Sequence, residues 1–490
     1  MKKLFYILHG LLLLTICMAL NGCMKDAYKG LDSEEEKEKP EPEPSIPDNK
    51  EDDLPDFSVP KTFDWNEVYI KIPITVGTDI DNIQVYFPPL KYNKKFAYSY
   101  TFDDCTVMAY SRGFCFINKK WMDYHRFYHV SQEHTTGSYP EKTLGYTDGC
   151  GVEHRFSIGV SIWPDASNRN IDNFMSPTTH KPDKYYPYLV WNDLVPILEF
   201  GNEIYFHDVN TDGDDSVDGI LKGMKKCQEI TESALGRKMK VLARPSGKNN
   251  YVVAARALDD VVFVAAESNT DMGSPFNITF DDEINLKNIA QYRRFVESTP
   301  TLAQLWPNIS AAATSENFAW LHDFSHGPEN LQYVLDLFAK LNDEYGKDGN
   351  DCIWFATLDE VYEYNYFRNN CIIEKSISNN ILTLKFACPS SDLPNELIFH
   401  RDFSIILKGA VPLSTADISI GKNVYGLSLA RQNTGDWLIN IDCNKSLLDK
   451  SERYTSIYEK ERSVSAKEDA LYFVNQLNDN LKKTFKSRFE

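Results

Sequence analysis

The stretch KKFAYSYTFDDC, residues 94–105, decides how the rest of the chain is read. Phe96, Tyr98, Tyr100 and Phe102 alternate with Ala97, Ser99, Thr101 and Asp103. This is the period-two pattern of a strand, with large rings on one face and small residues on the other. Asp104 falls where such a strand breaks into a loop. Adjacent carboxylates at the end of a buried strand suit chemistry in which one holds a metal and the other moves a proton. Adjacent aspartates also open turns and cap helices, so the pair by itself leaves both readings open.

Towards the N-terminus, Met1-Lys2-Lys3 precedes an apolar run from Leu4 to Leu20, followed by Asn21-Gly22-Cys23. A basic start, an apolar run too short to span a bilayer and small residues before a cysteine read as an export leader. The ending resembles a bacterial lipobox. That implies a lipoprotein signal peptide over 1–23 and acylation of Cys23. The protein would then be anchored by lipid in the cell envelope, at the outer membrane in a Gram-negative cell. An ordinary secretory leader is the alternative. Residues 24–55 are Glu- and Pro-rich with almost no apolar side chains, an extended tether that cannot bury a core. The net charge of −19 argues against nucleic acid, which needs a basic footprint. Eight cysteines lie beyond Cys17 and Cys23 without CxxC spacing; in an exported protein some pair, in a connectivity the sequence does not reveal.

FDWNEVYIKIPI and NIQVYFPPL predict a small β preface over 56–94. Strand and helix patterns alternate over 95–368, which reads as an α/β domain with parallel strands. HRFSIGVSIW, 154–163, predicts its second strand; residues 191–199 predict a helix stopped by Gly201, and 216–236 a longer one. Between the first two strands, His125, His129 and His134 read as structural or rim residues. Short alternating runs over 369–445 predict a C-terminal β-sandwich, and 446–490 a charged helical tail.

The order of landmarks resembles the NodB-homology polysaccharide deacetylases, grouped as carbohydrate esterase family four. Thr101-Phe102-Asp103-Asp104 is similar to the family's TFDDG, with Cys105 in place of Gly. Gly201 to His207 is similar to GNHTxxH, with Glu203 at the first histidine. Arg244-Pro245 is similar to the start of RPPY, though Ser246-Gly247 departs from it. Asp271-Met272 is a weak counterpart of Asp-Trp. Trp320-Leu321-His322-Asp323 is similar to the last motif. The resemblance implies a deformed (β/α) barrel over 95–368 that removes acetyl groups, most plausibly N-acetyl, from a polysaccharide or glycan. It implies Asp103 as base, Arg244 orienting it, Asp104 and His207 as metal ligands, His322 as acid, and Leu321 with Trp320 at the substrate pocket. The implied cofactor is one divalent transition metal, zinc first, with cobalt, nickel or manganese also admissible.

Glu203 can be read as a third ligand reaching the same ion as His207 across four residues, or as a sign that the site no longer binds a catalytic metal. His326 could supply an extra ligand in its place. Asp208-Val-Asn210-Thr-Asp212-Gly213-Asp214, with Asp218 beyond, resembles the front half of a calcium loop; a solvated acidic loop is the alternative. Cys105 is a weak candidate nucleophile. Two further function classes come into question. A catalytically impaired NodB-like carbohydrate-binding protein fits the departures at Glu203 and Ser246-Gly247. A glycoside hydrolase fits poorly, because adjacent aspartates sit too close to flank a glycosidic bond.

Overall fold

The alternating stretch folds into a strand buried on both faces in the computed structural model. The structure describes residues 54–122, 138–165, 188–245, 248–267, 278–279, 290–295, 299–326, 331–388, 393–410 and 417–489. The expected leader with Cys23, nearly all of the tether, His125, His129, His134, Ser246-Gly247 and Asp271 lie outside the described residues. No helix among the described residues is long and apolar enough to cross a membrane.

Nineteen strands are described. The first seven are β1 (Tyr69–Pro73), β2 (Gln84–Tyr86), β3 (Phe96–Phe102), β4 (Gly145–Thr147), β5 (Glu153–Arg155), β6 (Gly159–Ile162) and β7 (Glu203–Phe206). The next six are β8 (Val241–Ala243), β9 (Phe263–Glu267), β10 (Ile278–Thr279), β11 (Ala290–Phe295), β12 (Ala319–Ser325) and β13 (Ile353–Phe355). Parallel pairing runs β3-β6-β7-β8-β9-β11-β12. The sheet curls until β12 also pairs β3, in register from Ala319↔Phe96 to Ser325↔Phe102. β13 joins the lower half of β3, and β10 lies antiparallel on β12. The result is a mixed α/β, barrel-like fold, the expected class.

Helices α1 (Trp191–Glu199), α2 (Val217–Leu235), α3 (Asn249–Arg256), α4 (Thr299–Thr314), α5 (Leu331–Glu344) and α6 (Leu358–Asn370) alternate with these strands. Local chemistry sets their ends. Ser216 caps α2 by accepting from the Gly219 N–H, and Gly236 ends it in the left-handed region at φ 65°. Tyr100 and Phe102 of β3 pack edge-on against Phe338 of α5. The small residues of β3 face the other way: Ser99 Oγ donates to the Ala356 carbonyl and accepts from the Trp320 indole N–H. Gly159 belongs to this interior because a Cβ there would stand 2.0 Å from the Tyr205 ring.

Two expectations change. HRFSIGVSIW is not one strand: β5 turns away to pair β4, and β6 starts afresh after Ser157, where the Ile158 N–H bonds the Asn202 side chain instead of a neighbouring strand. The β preface and the C-terminal β region also share their sheets. The remaining strands are β14 (Ile372–Ser378), β15 (Ile381–Ala387), β16 (Asp402–Lys408), β17 (Ser419–Ile420), β18 (Gly426–Arg431) and β19 (Trp437–Asp442). They form two antiparallel sheets, β14-β15-β1-β17 and β18-β19-β16-β2. Each is completed by an N-terminal strand, and β1 is hydrogen-bonded on both sides. The Phe386 and Phe403 rings, one from each sheet, lie 5.0 Å apart. The chain ends in α7 (Lys445–Glu461), α8 (Val464–Val474) and α9 (Asp479–Lys486). α7 and α8 close on Phe200 beyond α1 through Tyr454 and Phe473.

Candidate metal centre

Four parallel strands end at one mouth with polar side chains. Asp103 follows β3, and its backbone N–H donates to the Ser325 carbonyl at the end of β12 (2.9 Å). Its carboxylate is fully buried and accepts from Ser161 Oγ of β6 at 3.1 Å. Asp104 adopts a left-handed backbone, φ 60°, which turns the chain sharply and leaves its side chain 43 % exposed. His207 follows β7; its Nε2 lies 3.2 Å from an Asp104 oxygen and 3.9 Å from an Asp103 oxygen.

The tautomer of His207 follows from its other nitrogen. Nδ1 sits 2.7 Å from the Ala243 carbonyl of β8, which only accepts, so Nδ1 carries the proton. In the neutral ring the Nε2 lone pair then faces the Asp104 carboxylate. Two acceptors at 3.2 Å repel unless a proton or a metal ion lies between them. That spacing suits two ligands of one ion with bonds of about 2.0–2.2 Å. The backbone bond at Nδ1 is the support that orients metal-binding histidines. The residues therefore fit a divalent ion. Ser161 and the Ala243 carbonyl escaped the sequence reading. Strand parity could have turned Ser161 inward, but nothing local marks a main-chain carbonyl. Arg244 follows β8 at the same mouth, and its guanidinium donates to Asn249 at 3.0 Å.

Glu203 is not part of this centre. It opens β7 while His207 follows its end, and a strand rises ~3.3 Å per residue, so the two lie about 13 Å apart along the strand. The expectation that four-residue spacing lets both reach one ion holds on a helix and fails on a strand. Glu203 is instead buried against Arg237, which donates to both of its oxygens. Among the described residues, Glu203, Asp359 and His400 offer ligand atoms all within 4.8 Å of one another, an arrangement compatible with a divalent metal. Cations already occupy its surroundings. Arg237 holds Glu203, and Lys240 lies 3.5 Å from Asp359 and pairs with Glu363. Burial by itself lowers the His400 pKa, but the Asp359 and Glu203 carboxylates, 3.5 and 3.4 Å from its Nε2, outweigh this and hold it at about 9. An ion entering there has to displace that proton.

The last motif is also redistributed. His322 stands mid-strand in register with Ser99, buried, with Nε2 3.2 Å from Thr101 Oγ1. Trp320 is fully buried beside Phe263. Leu321 alternates to the opposite face with Asp323, whose carboxylate accepts from Tyr98 at 2.5 Å. Neither Trp320 nor Leu321 is at the mouth. His326 follows Ser325, the residue bonded to Asp103, and so is level with it; its ring packs edge-on to Phe324.

In the acidic loop after His207 three carboxylates have protein partners. Asp208 accepts from Tyr251, Asp215 pairs with Lys248, and Asp214 accepts from the Ser216 N–H. That reading favours a solvated loop over a calcium site. Burial pushes the Cys105 thiol up to about 12, against a role as nucleophile.

A family model described as "Putative polysaccharide deacetylase" matches residues 123–490. The match takes in His207, Arg244 and His326 and begins after Asp103 and Asp104. No curated protein matches the chain.

Proposed function

The chain belongs to this polysaccharide deacetylase family, and from that premise we propose that it removes N-acetyl groups from a glycan at the mouth formed by Asp103, Asp104, His207, Arg244 and His326. Family membership supports a hydrolase acting on amide or ester bonds of a polysaccharide. The finer reading is a NodB-type, metal-dependent enzyme, exported and anchored through Cys23. One observation carries it: His207, its Nδ1 on the Ala243 carbonyl, sets Nε2 3.2 Å from the Asp104 carboxylate, beside a buried second aspartate.

Asp104 and His207 would hold the ion, which when bound polarises the acetyl carbonyl and acidifies a water molecule. Asp103 accepts the proton of the attacking water. The Ser161 hydroxyl holds one of its oxygens and leaves the other on the His207 side. Exposed Asp104 leaves the mouth open to a bulky glycan. Protonation of the departing amine falls to His326, which is level with Asp103, rather than to His322, four residues down the strand in the interior. Arg244 adds positive charge on the β8 side of the same mouth.

The test is metal content together with release of acetate from N-acetylated oligosaccharides. Wild type is expected to bind one equivalent of a transition metal and to release acetate, and His207→Ala to lose both. Wild type that binds the metal and the glycan but releases no acetate would favour the impaired, carbohydrate-binding reading. Wild type that stays metal-free after zinc, cobalt and nickel are offered would overturn the metal centre.

A further inference from the structure

We propose that Cys371 and Cys388 form a cross-strand disulfide in an oxidising compartment. β14 and β15 pair antiparallel from Ser378↔Ile381 to Ile372↔Ala387, and the next step of this ladder sets Cys371 opposite Cys388. Directly opposed residues of such a ladder keep Cα atoms about 4.5–5.5 Å apart. That lies inside the window a disulfide accepts. Opposed residues also point to the same face. That face is the inner one: Leu382, Leu384, Phe386 and Cys388 are buried in alternation along β15, and Ile373 opposes Phe386.

Cys388 is the neighbour that acts most strongly on Cys371. A hydrogen bond to Cys388, and then burial, raise the Cys371 pKa. Both are free thiols in this structure. Cys443, the other cysteine that acts electrostatically on Cys371, follows β19 in the second sheet, where its N–H bonds the Arg401 carbonyl.

The oxidant has to be a disulfide, either a small one such as oxidised glutathione or that of an exchange enzyme. Half-buried Cys371 loses its proton and attacks one sulfur of that disulfide, expelling the other as a thiolate. Buried Cys388 then loses its proton and attacks Cys371 Sγ, expelling the second oxidant sulfur. Two thiols give up two protons and two electrons, and the oxidant leaves as two thiols. Because the thiolate is the reacting form and the Cys371 pKa is raised, the uncatalysed reaction is slow near neutral pH and speeds up as pH rises.

The position suits a clamp. Cys371 is the last residue of the turn that ends α6, its N–H bonded to Phe367. β14 is an edge strand with mostly exposed side chains, held on one side by β15. The link would pin the exit of α6 to the antiparallel sheet where burial holds it weakly.

The experiment incubates the full chain, natively folded, with oxidised glutathione, alkylates the remaining thiols and maps the peptides without reduction. The expected product joins the peptides of Cys371 and Cys388, lighter by two hydrogen atoms, and Cys443→Ser leaves it intact. Alkylation of both residues after this treatment, or a link from either one to Cys443, would overturn the proposal. As a second readout, reduction should lower the unfolding midpoint of the oxidised protein by a few degrees, and Cys371→Ser should remove that sensitivity. An oxidised protein whose midpoint ignores reductant would count against the clamp.

Discussion

His207 and His326 earn their assignments from backbone groups rather than from their own letters. The Ala243 carbonyl sets the tautomer of one, and the Asp103–Ser325 bond sets the height of the other. The first prediction separates the two candidate acids. His326→Gln should lower kcat by roughly 10²–10⁴-fold, the usual contribution of a general acid, and remove the basic limb of the pH–rate profile. His322→Gln should instead lower stability, with a smaller effect on kcat. The reverse pattern would return the role to His322. A second prediction concerns Asp442, whose carboxyl is pushed up from 3.8 to about 7, first by burial and then by Asp402. A raised folded-state pKa contributes stability that is complete below the unfolded value and is lost as pH rises through the folded one. Asp442→Asn mimics the protonated form. The variant's unfolding midpoint should therefore gain on wild type between pH 3.8 and pH 7. A constant difference across that range would contradict it.

At the scale of elements, β7 shows why a motif is not a geometry. Glu203 and His207 share one parity of the strand, yet the length of the strand separates them. Glu203 is thus a structural partner of Arg237, with side chains 4 % and 10 % exposed. Glu203→Gln strands a buried guanidinium and should cost about 3–5 kcal/mol of stability. Metal stoichiometry should not change; loss of the metal in a folded Glu203→Gln protein would restore Glu203 to the centre. The elements themselves were largely legible: β3 from its alternation, α1 and its Gly201 stop from their local pattern. The split of the 154–163 run was not, because Asn202, 44 residues from Ile158, supplies the bond that ends it.

For the whole molecule, the N-terminal and C-terminal β segments interlock. β1 lies between β15 and β17, and β2 pairs β16. A chain beginning at residue 95 lacks both strands and exposes the ladder groups they satisfy. It should be poorly soluble or protease-sensitive and show no cooperative transition. A soluble fragment that unfolds at the wild-type midpoint would show that the sheets do not need their N-terminal strands.

The sequence by itself determined the barrel-like α/β core, the aspartate pair at a strand end and the resemblance to deacetylases, because these depend on periodicity and on residues close together in the chain. Only the tertiary structure decided that Glu203 leaves the centre, that His326 and not His322 is level with Asp103, and that β1 and β2 complete the C-terminal sheets. The physical reason is common to all three. Strand register, not spacing in the chain, sets which side chains share a level, and register is fixed by hydrogen bonds between segments as far as 200 residues and more apart, as Phe96 and Ala319 are.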